Sequence, residues 1–214
     1  MKKFKKIVLV LVLMLSSLLI VTGCDKSKDK ETKKKVDTKD ISYTFGKGVF
    51  TVSVPKDSEG NAKYEFTTQK PSEISTSASF YLVTDKAVFG FSTAGMTYNT
   101  SQKYKDKYGD KKATFDGYLE FIEDKDLFNK SYLPGLEQFK INGRKALRYY
   151  NRAGSPGSYK YYGYFYFIGV DDIYPGSRAG MTVNYKTDEK PTEIQEFDTE
   201  TLDIIKSLKI TASK

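Results

Sequence analysis

The amino-acid sequence predicts an α+β fold, an antiparallel β-sheet with helices packed on its faces. Several segments alternate apolar and polar residues, which is the period of a strand with one buried face. Turn signals rich in glycine, asparagine and aspartate separate these segments and favour hairpins over parallel crossovers. Two other segments repeat apolar residues at helical spacing. Together these patterns predict one mixed domain.

The first strands follow Asp40. Residues 42–45 and 49–54 flank the turn signal Gly46-Lys47-Gly48, and Pro55 ends the second strand. Alternation places three of its apolar side chains on one face, those of Phe50, Val52 and Val54. Further strands are predicted at residues 64–68, 74–83 and 87–92.

The middle of the chain contains the first predicted helix. Phe115, Leu119 and Ile122 share one helical face, and Thr114 is placed to cap the N-terminus. Residues 93–112, which precede this helix, are polar and rich in lysine. They predict a long loop or a short exposed helix.

The second half returns to strands and ends in a helix. Residues 136–141 and 145–151 flank Asn142-Gly143, the strongest short-range hairpin signal. Strands are also predicted at residues 158–170, 178–186 and 209–211. Between the last two, Asp198 is placed to cap a helix whose apolar face comprises Leu202, Ile205 and Leu208.

The N-terminus has the organisation of an export signal. Lysines at positions 2, 3, 5 and 6 precede a mainly apolar run and then Val21-Thr22-Gly23-Cys24. This last stretch resembles a lipobox, the motif of bacterial lipoproteins. The resemblance implies cleavage after Gly23 and a diacylglyceryl group on Cys24 that anchors the protein at the extracytoplasmic face of the cell membrane. The alternatives are an uncleaved transmembrane helix and a plain secretory signal.

Composition divides the remaining chain into a tether and a domain. Residues 24–40 are charged and nearly free of apolar side chains, so they predict a flexible tether after the signal peptide at residues 1–23. Residues 41–214 form the single predicted domain, with a net charge of only about +2. A nucleic-acid partner is therefore not expected.

The chain has no histidine, and Cys24 is its only cysteine. These counts exclude serine–histidine and cysteine–histidine nucleophile pairs and histidine-ligated zinc. We expect no catalytic residue, no metal site and no cofactor. Two acidic clusters, Asp171-Asp172 and the group Glu120, Glu123, Asp124 and Asp126, lack calcium-loop spacing and are interpreted as solvated surface.

Three segments together resemble the PsbP-like fold family, which includes the DcrB-like bacterial lipoproteins. They are the opening strand pair at residues 43–55, the hairpin at residues 139–149 and the closing helix at residues 202–208. The resemblance implies an antiparallel sheet sandwiched by helices and a non-enzymatic accessory or binding role. It implies no catalytic residues.

The aromatic strand is the main candidate for ligand binding. Residues 159–167 contain seven aromatic side chains, and alternation puts Tyr162, Tyr164 and Tyr166 on one face. Exposed tyrosines would suit sugars, peptides or a protein surface. The alternative is that both faces of the strand are buried.

These observations predict a lipid-anchored, non-enzymatic binding or accessory protein of the cell envelope with an unidentified protein partner. A second interpretation is a lipoprotein that binds a carbohydrate or peptide through the three tyrosines. A third is a hydrolase that uses carboxylates, which would require two acidic side chains in one pocket with shifted pKa values.

Overall fold

The computed structural model describes residues 36–71, 77–152, 161–186 and 197–214. All of them belong to one unit, Val36–Lys214. The predicted signal peptide, Cys24 and most of the predicted tether lie outside the described residues. No helix in the described ranges is long and apolar enough to cross a membrane.

The described chain has the predicted α+β composition of antiparallel strands and a few helices. The strands are β1 Thr38–Phe45, β2 Gly48–Pro55, β3 Phe66–Thr67, β4 Phe80–Val83, β5 Ala87–Gly95, β6 Glu137–Ile141, β7 Arg144–Arg152, β8 Tyr161–Gly169, β9 Ser177–Lys186 and β10 Lys209–Ala212. The helices are α1 Gln102–Tyr108, α2 Phe115–Glu123 and α3 Thr199–Ser207. The predicted fold class is therefore confirmed.

The strands form two antiparallel sheets rather than one. The small sheet has the order β1-β2-β10, and the large sheet has the order β3-β4-β5-β9-β8-β7-β6. Every pair of neighbouring strands is antiparallel. Strand β10 completes the small sheet by pairing with β2, so the two ends of the described chain meet in one sheet.

One face of the large sheet packs against the small sheet and α3. Phe50 of β2 lies edge-on to Phe80 of β4, with ring centroids 5.2 Å apart, and Phe80 stacks on Phe91 at 5.0 Å. Ile204 and Ile205 of α3 join the same buried cluster. Alternation in β2 thus predicted its buried face correctly, because Phe50, Val52 and Val54 are at most 1% exposed.

Helices α1 and α2 belong to the cluster on the other face. Phe115, Tyr118 and Ile122 of α2 pack in a cluster with Leu147 of β7 and Phe167 of β8. Thr114 caps α2 as predicted, since its hydroxyl oxygen accepts a hydrogen bond of 3.1 Å from the backbone N–H of Gly117. The large sheet is therefore the middle layer of three.

Gly117 is an unfavourable residue for a helix interior, and its surroundings explain its presence. A Cβ atom at this position would lie 2.2 Å from the hydroxyl oxygen of Tyr98. That hydroxyl donates to the carbonyl of Thr114 and accepts from its backbone N–H, both at 3.0 Å. Glycine is less favourable than alanine in a helix by about 1 kcal/mol. Its missing side chain leaves room for the buried Tyr98, whose hydroxyl fixes the first turn of α2.

The first strand begins three residues before Ile41, the predicted start of the domain. Strand β1 begins at Thr38, and its first residues pair with the end of β2, Thr38 opposite Pro55 and Asp40 opposite Ser53. The side chains of residues 38–40 are polar and exposed, so composition places these residues in the tether. Backbone pairing with β2 is independent of that polarity.

Candidate functional site

A groove of about 340 Å³ lies between helix α3 and the outer strands of the large sheet. Its lining comes from β6, β7, β8 and α3: Glu137, Phe139, Lys140, Ile141, Arg148, Tyr166, Leu202, Ile205 and Lys206. Small-molecule and peptide sites commonly have volumes of about 300–1,000 Å³ and an apolar lining with a few polar groups. The groove meets both criteria.

The interior of the groove is apolar because strands β6 and β8 and helix α3 each direct apolar or aromatic side chains into it. Phe139 of β6 and Tyr166 of β8 face α3, and their rings are nearly perpendicular with centroids 5.9 Å apart. Leu202 and Ile205 project from one side of α3 toward the sheet. Two residues of the predicted apolar face, Leu202 and Ile205, therefore form one wall of the groove, whereas Leu208 follows the end of α3 and is buried in the core.

Arg148 forms the polar wall. Its guanidinium lies 4.7 Å from the ring centroid of Tyr164 and makes an ion pair with Glu137, with a nitrogen–oxygen distance of 2.7 Å. The Arg148 side chain is 27% exposed, so part of its charge reaches the groove. Burial raises the pKa of the Tyr166 hydroxyl to about 12, and the nearby Arg148 partly opposes this rise. Tyr166 therefore stays neutral at physiological pH.

The rim of the groove carries more positive than negative charge. Lys140 and Lys206 are exposed at its edge, while Glu137 is already paired with Arg148. Three cations thus surround one carboxylate. An apolar group with an acidic neighbour has the chemistry that complements this surface.

The turn between β6 and β7 fixes the end of α3 beside the groove. The side-chain amide of Asn142 donates to the carbonyl oxygens of Lys206 and Leu208, at 2.9 and 2.8 Å. Asn142 and Gly143 both have positive φ, 44° and 82°, as a tight hairpin turn of this kind requires. The backbone of Asn142 therefore adopts the conformation that the turn requires, and its side chain caps the end of α3.

Asn142→Gly is expected to lower the free energy of unfolding by about 1–3 kcal/mol. Glycine accepts the left-handed backbone but removes both hydrogen bonds to the end of α3. Urea unfolding measures the change. Asn61→Gly in an exposed loop is the matched control and gives the general effect of this replacement. Equal losses in both variants would show that the two bonds to α3 contribute nothing.

Comparison of the chain with protein-family models, curated proteins and solved structures finds no match.

The structure buries two of the three tyrosines predicted to bind a ligand. Tyr164 is 9% exposed and Tyr166 is 1% exposed, and both belong to the core beneath α3. The ring of Tyr164 packs edge-on against Phe197, with centroids 5.5 Å apart. Of the two interpretations of this face, burial rather than exposure holds for these two residues, because helix α3 and Phe197, two positions before it, cover the face. Tyr166 nevertheless lines the groove, whereas the side chain of Tyr162 lies outside the described residues.

The acidic pair Asp171-Asp172 has structural partners. Asp171 accepts a 2.7 Å hydrogen bond from the backbone N–H of Phe115, the first residue of α2. A carboxylate at this position stabilises the N-terminus of the helix. Asp172 pairs with Arg144 through two hydrogen bonds of 2.7 and 2.8 Å, and this pairing lowers the pKa of Asp172.

The second acidic cluster joins α2 to its neighbours. Asp124 accepts from the Tyr108 hydroxyl at 2.6 Å and pairs with Lys107 at 2.7 Å. Hydrogen bonds from Lys107 and then Tyr108 lower the pKa of Asp124 to about 2. Asp126 also pairs with Lys107, at 3.2 Å, and Glu123 pairs with Lys130. No three histidine, cysteine or acidic side chains in the described ranges are grouped so that they could hold a metal ion.

Asp124 is expected to contribute to stability above pH 4 and to lose that contribution as the pH falls toward 2. Its pKa is lower in the folded protein than the ordinary value of 3.8, so folding favours the ionised form. Thermal unfolding of the wild type and Asp124→Asn should therefore differ most above pH 4 and converge near pH 2. Asp110→Asn, which removes an exposed carboxyl just after α1, is the control. A difference between the curves that is constant from pH 6 to 2 would refute this role.

Sequence reasoning missed the groove itself. Arg148, Phe139 and Lys140 lie in a hairpin that was predicted correctly, but nothing in their spacing shows that α3 packs across them. The signal that was available is the placement of Arg148 among apolar and aromatic residues of its strand. A charged residue in such a strand often marks a paired or functional position.

Proposed function

We propose that this chain is a lipid-anchored, non-enzymatic binding protein on the extracytoplasmic face of the cell membrane. Cys24 would carry the lipid, and the domain would hold a segment of a protein partner in the groove beside α3. The groove, with its apolar floor and cationic rim, is the observation that carries the binding role. The leader and the lipobox-like stretch support the location.

The proposal includes membership of the PsbP-like fold group. The segments on which that resemblance rests are the hairpin β1–β2, the hairpin β6–β7 and helix α3. The second hairpin and α3 contribute most of the residues that line the groove. The proposed binding site therefore uses the segments that carry the resemblance.

The partner segment is proposed to present an apolar side chain next to a carboxylate. Phe139 on the floor and Leu202 with Ile205 on the α3 wall offer the apolar contacts, and Lys140 with Lys206 offers the charges. A volume of about 340 Å³ accommodates one or two large side chains rather than a whole helix. Because the two lysines are exposed, they would affect the association rate and salt dependence as well as affinity.

Charge reversal at the rim tests the proposal. The double variant Lys140→Glu and Lys206→Glu should reduce recovery of the partner from detergent-solubilised envelope by about tenfold or more, because like charges then face the carboxylate. Lys47→Glu with Lys86→Glu is the matched control, since both lysines are exposed elsewhere and the net charge change is equal. Quantitative mass spectrometry of co-purified proteins is the measurement.

Two outcomes would contradict the proposal. One is that the wild-type protein recovers no reproducible partner. The other is that both double variants recover the partner equally, which would show that the partner does not bind through the rim of the groove. Retention of the lipid anchor in all variants keeps their location constant.

A small carbohydrate or peptide is the second candidate occupant, because Tyr166 and Arg148 line a groove of suitable volume. Such a ligand would protect the domain against thermal unfolding in the absence of any partner protein. Loss of that protection in Leu202→Asp, with no change in partner recovery, would favour this alternative.

A further inference from the structure

A second, smaller groove lies on the opposite face of the large sheet. Its volume is about 120 Å³, and its lining comes mainly from β5, β8 and β9. Alternation along β9 explains why the grooves are separate, since Met181 and Val183 face the core while Arg178, Gly180 and Thr182 face the other way. The second groove therefore shares neither Arg148 nor α3 with the first.

Arg178 is held in place by aromatic rings at this groove. Its guanidinium carbon lies 3.7 Å from the ring centroid of Phe167 and 5.3 Å from that of Tyr118. Such stacking fixes the plane of a guanidinium and leaves its N–H groups at the edge available. No carboxylate of the described residues forms an ion pair with Arg178.

This arrangement differs from that of the other half-buried arginines in the described ranges. Arg144 is paired with Asp172 and Arg148 with Glu137. Arg178 has aromatic contacts in place of a carboxylate, although it also lies half-buried against the sheet. A positioned guanidinium with free N–H groups is a strong donor to an oxyanion.

Glycines on the neighbouring strands bring hydroxyl groups into the same groove. A Cβ atom on Gly180 would lie 2.9 Å from the hydroxyl oxygen of Ser92, and one on Gly90 would lie 2.7 Å from that of Thr182. Each glycine thus leaves room for a hydroxyl from the next strand. Both hydroxyl residues line the groove together with Arg178.

We propose that this groove binds a phosphate-type oxyanion, either free or as part of a lipid headgroup. The Arg178 fork can donate to two oxygens and the Ser92 hydroxyl to a third, whereas the Thr182 hydroxyl, which lines the same groove, already donates to the carbonyl oxygen of Gly90 at 3.3 Å. A tetrahedral anion uses this set of donors more completely than a carboxylate with two oxygens. The groove volume of about 120 Å³ is several times the roughly 30 Å³ that one water molecule takes in the liquid.

Titration of the mature protein in detergent with inorganic phosphate tests the site, with chloride used to hold the ionic strength constant. The Nε–Hε resonance of Arg178 and the amide resonances of Gly180 and Ser92 should shift and saturate, with a dissociation constant on the order of 1 mM. Arg178→Gln should weaken binding about tenfold or more, because it removes the charge-assisted donors. Lys39→Gln, which removes an exposed charge from β1, should leave the affinity unchanged.

The phosphate titration itself does not depend on the folding of a variant, because the Arg178 resonance is followed in the unsubstituted protein. Vesicles of phosphatidylglycerol, compared with phosphatidylcholine, distinguish a lipid headgroup from free phosphate as the source. A saturable shift with either phosphate or phosphatidylglycerol supports the site. Absence of saturation with both, or equal affinity in Arg178→Gln, overturns it.

Discussion

Cys24→Ala is expected to abolish acyl labelling of the protein and its lipid-dependent retention in the membrane. In the proposed mature protein, two acyl chains on one cysteine provide the anchor, and each buried methylene contributes about 0.8 kcal/mol. Alanine has no thiol to accept the lipid. Metabolic labelling with a fatty-acid analogue, followed by mass measurement of the purified chain, should therefore show loss of all label and an altered mass.

The control for this change is Ser27→Ala, three residues after Cys24. It alters a small polar residue in the same segment and should keep both the label and the processed mass. If Cys24→Ala retained the wild-type mass and label, the lipoprotein interpretation would be wrong. If the variant lost the label but the partner remained bound in detergent extracts, anchoring and binding would be separate properties of the chain.

Local patterns predicted those features that depend on neighbouring residues. The turn at Asn142-Gly143 requires two left-handed residues, and few residue types accept that conformation. The cap of α3 similarly depends on Asp198, whose carboxylate accepts from the backbone N–H of Thr201 at 3.2 Å. In both cases the chemistry of one or two adjacent residues determines the conformation, so a single sequence is sufficient.

Features that depend on distant residues were not predictable in the same way. The third strand of the small sheet comes from the pairing of β10 with β2, between residues more than 150 positions apart. The groove requires α3 to cross strands that precede it by some 60 residues, and Asn142 takes part through bonds to carbonyls 64 and 66 residues away. Alternation shows which side chains share a face but does not show what covers that face.

The aromatic strand illustrates this distinction. Alternation correctly grouped Tyr164 with Tyr166, and both lie on the core side of the sheet. The other side of the strand also packs, since Phe167 lies under Arg178 and beside Tyr118. Aromatic residues on both faces of this strand therefore indicate that both faces are covered. The small sheet and α3 form the layer on one face, and α1 and α2 form the layer on the other. The two grooves lie where these layers leave the sheet incompletely covered.

Gly163→Ala is expected to destabilise the domain by about 3 kcal/mol or more, the upper end of the range for overpacking. Gly163 lies in β8 opposite Asn184 of β9, and a Cβ atom there would lie 1.7 Å from the carbonyl oxygen of Val183 and 2.9 Å from the Cα of Asn184. These are backbone atoms, so no side-chain rotation relieves the overlap. The two central strands would have to separate, with loss of hydrogen bonds that hold the middle layer together.

Gly95→Ala is the matched control, because Gly95 lies at the end of β5 in the same sheet and has no atom within 4 Å of an added Cβ. Its effect should stay within about 0.5 kcal/mol. Urea unfolding of both purified variants, followed by circular dichroism, measures the difference. Equal urea midpoints for the two variants would show that the close approach of β8 and β9 does not require glycine at position 163. A low midpoint for Gly163→Ala alone would establish that this glycine is required for the contact between β8, which lines both grooves, and β9, which lines the second.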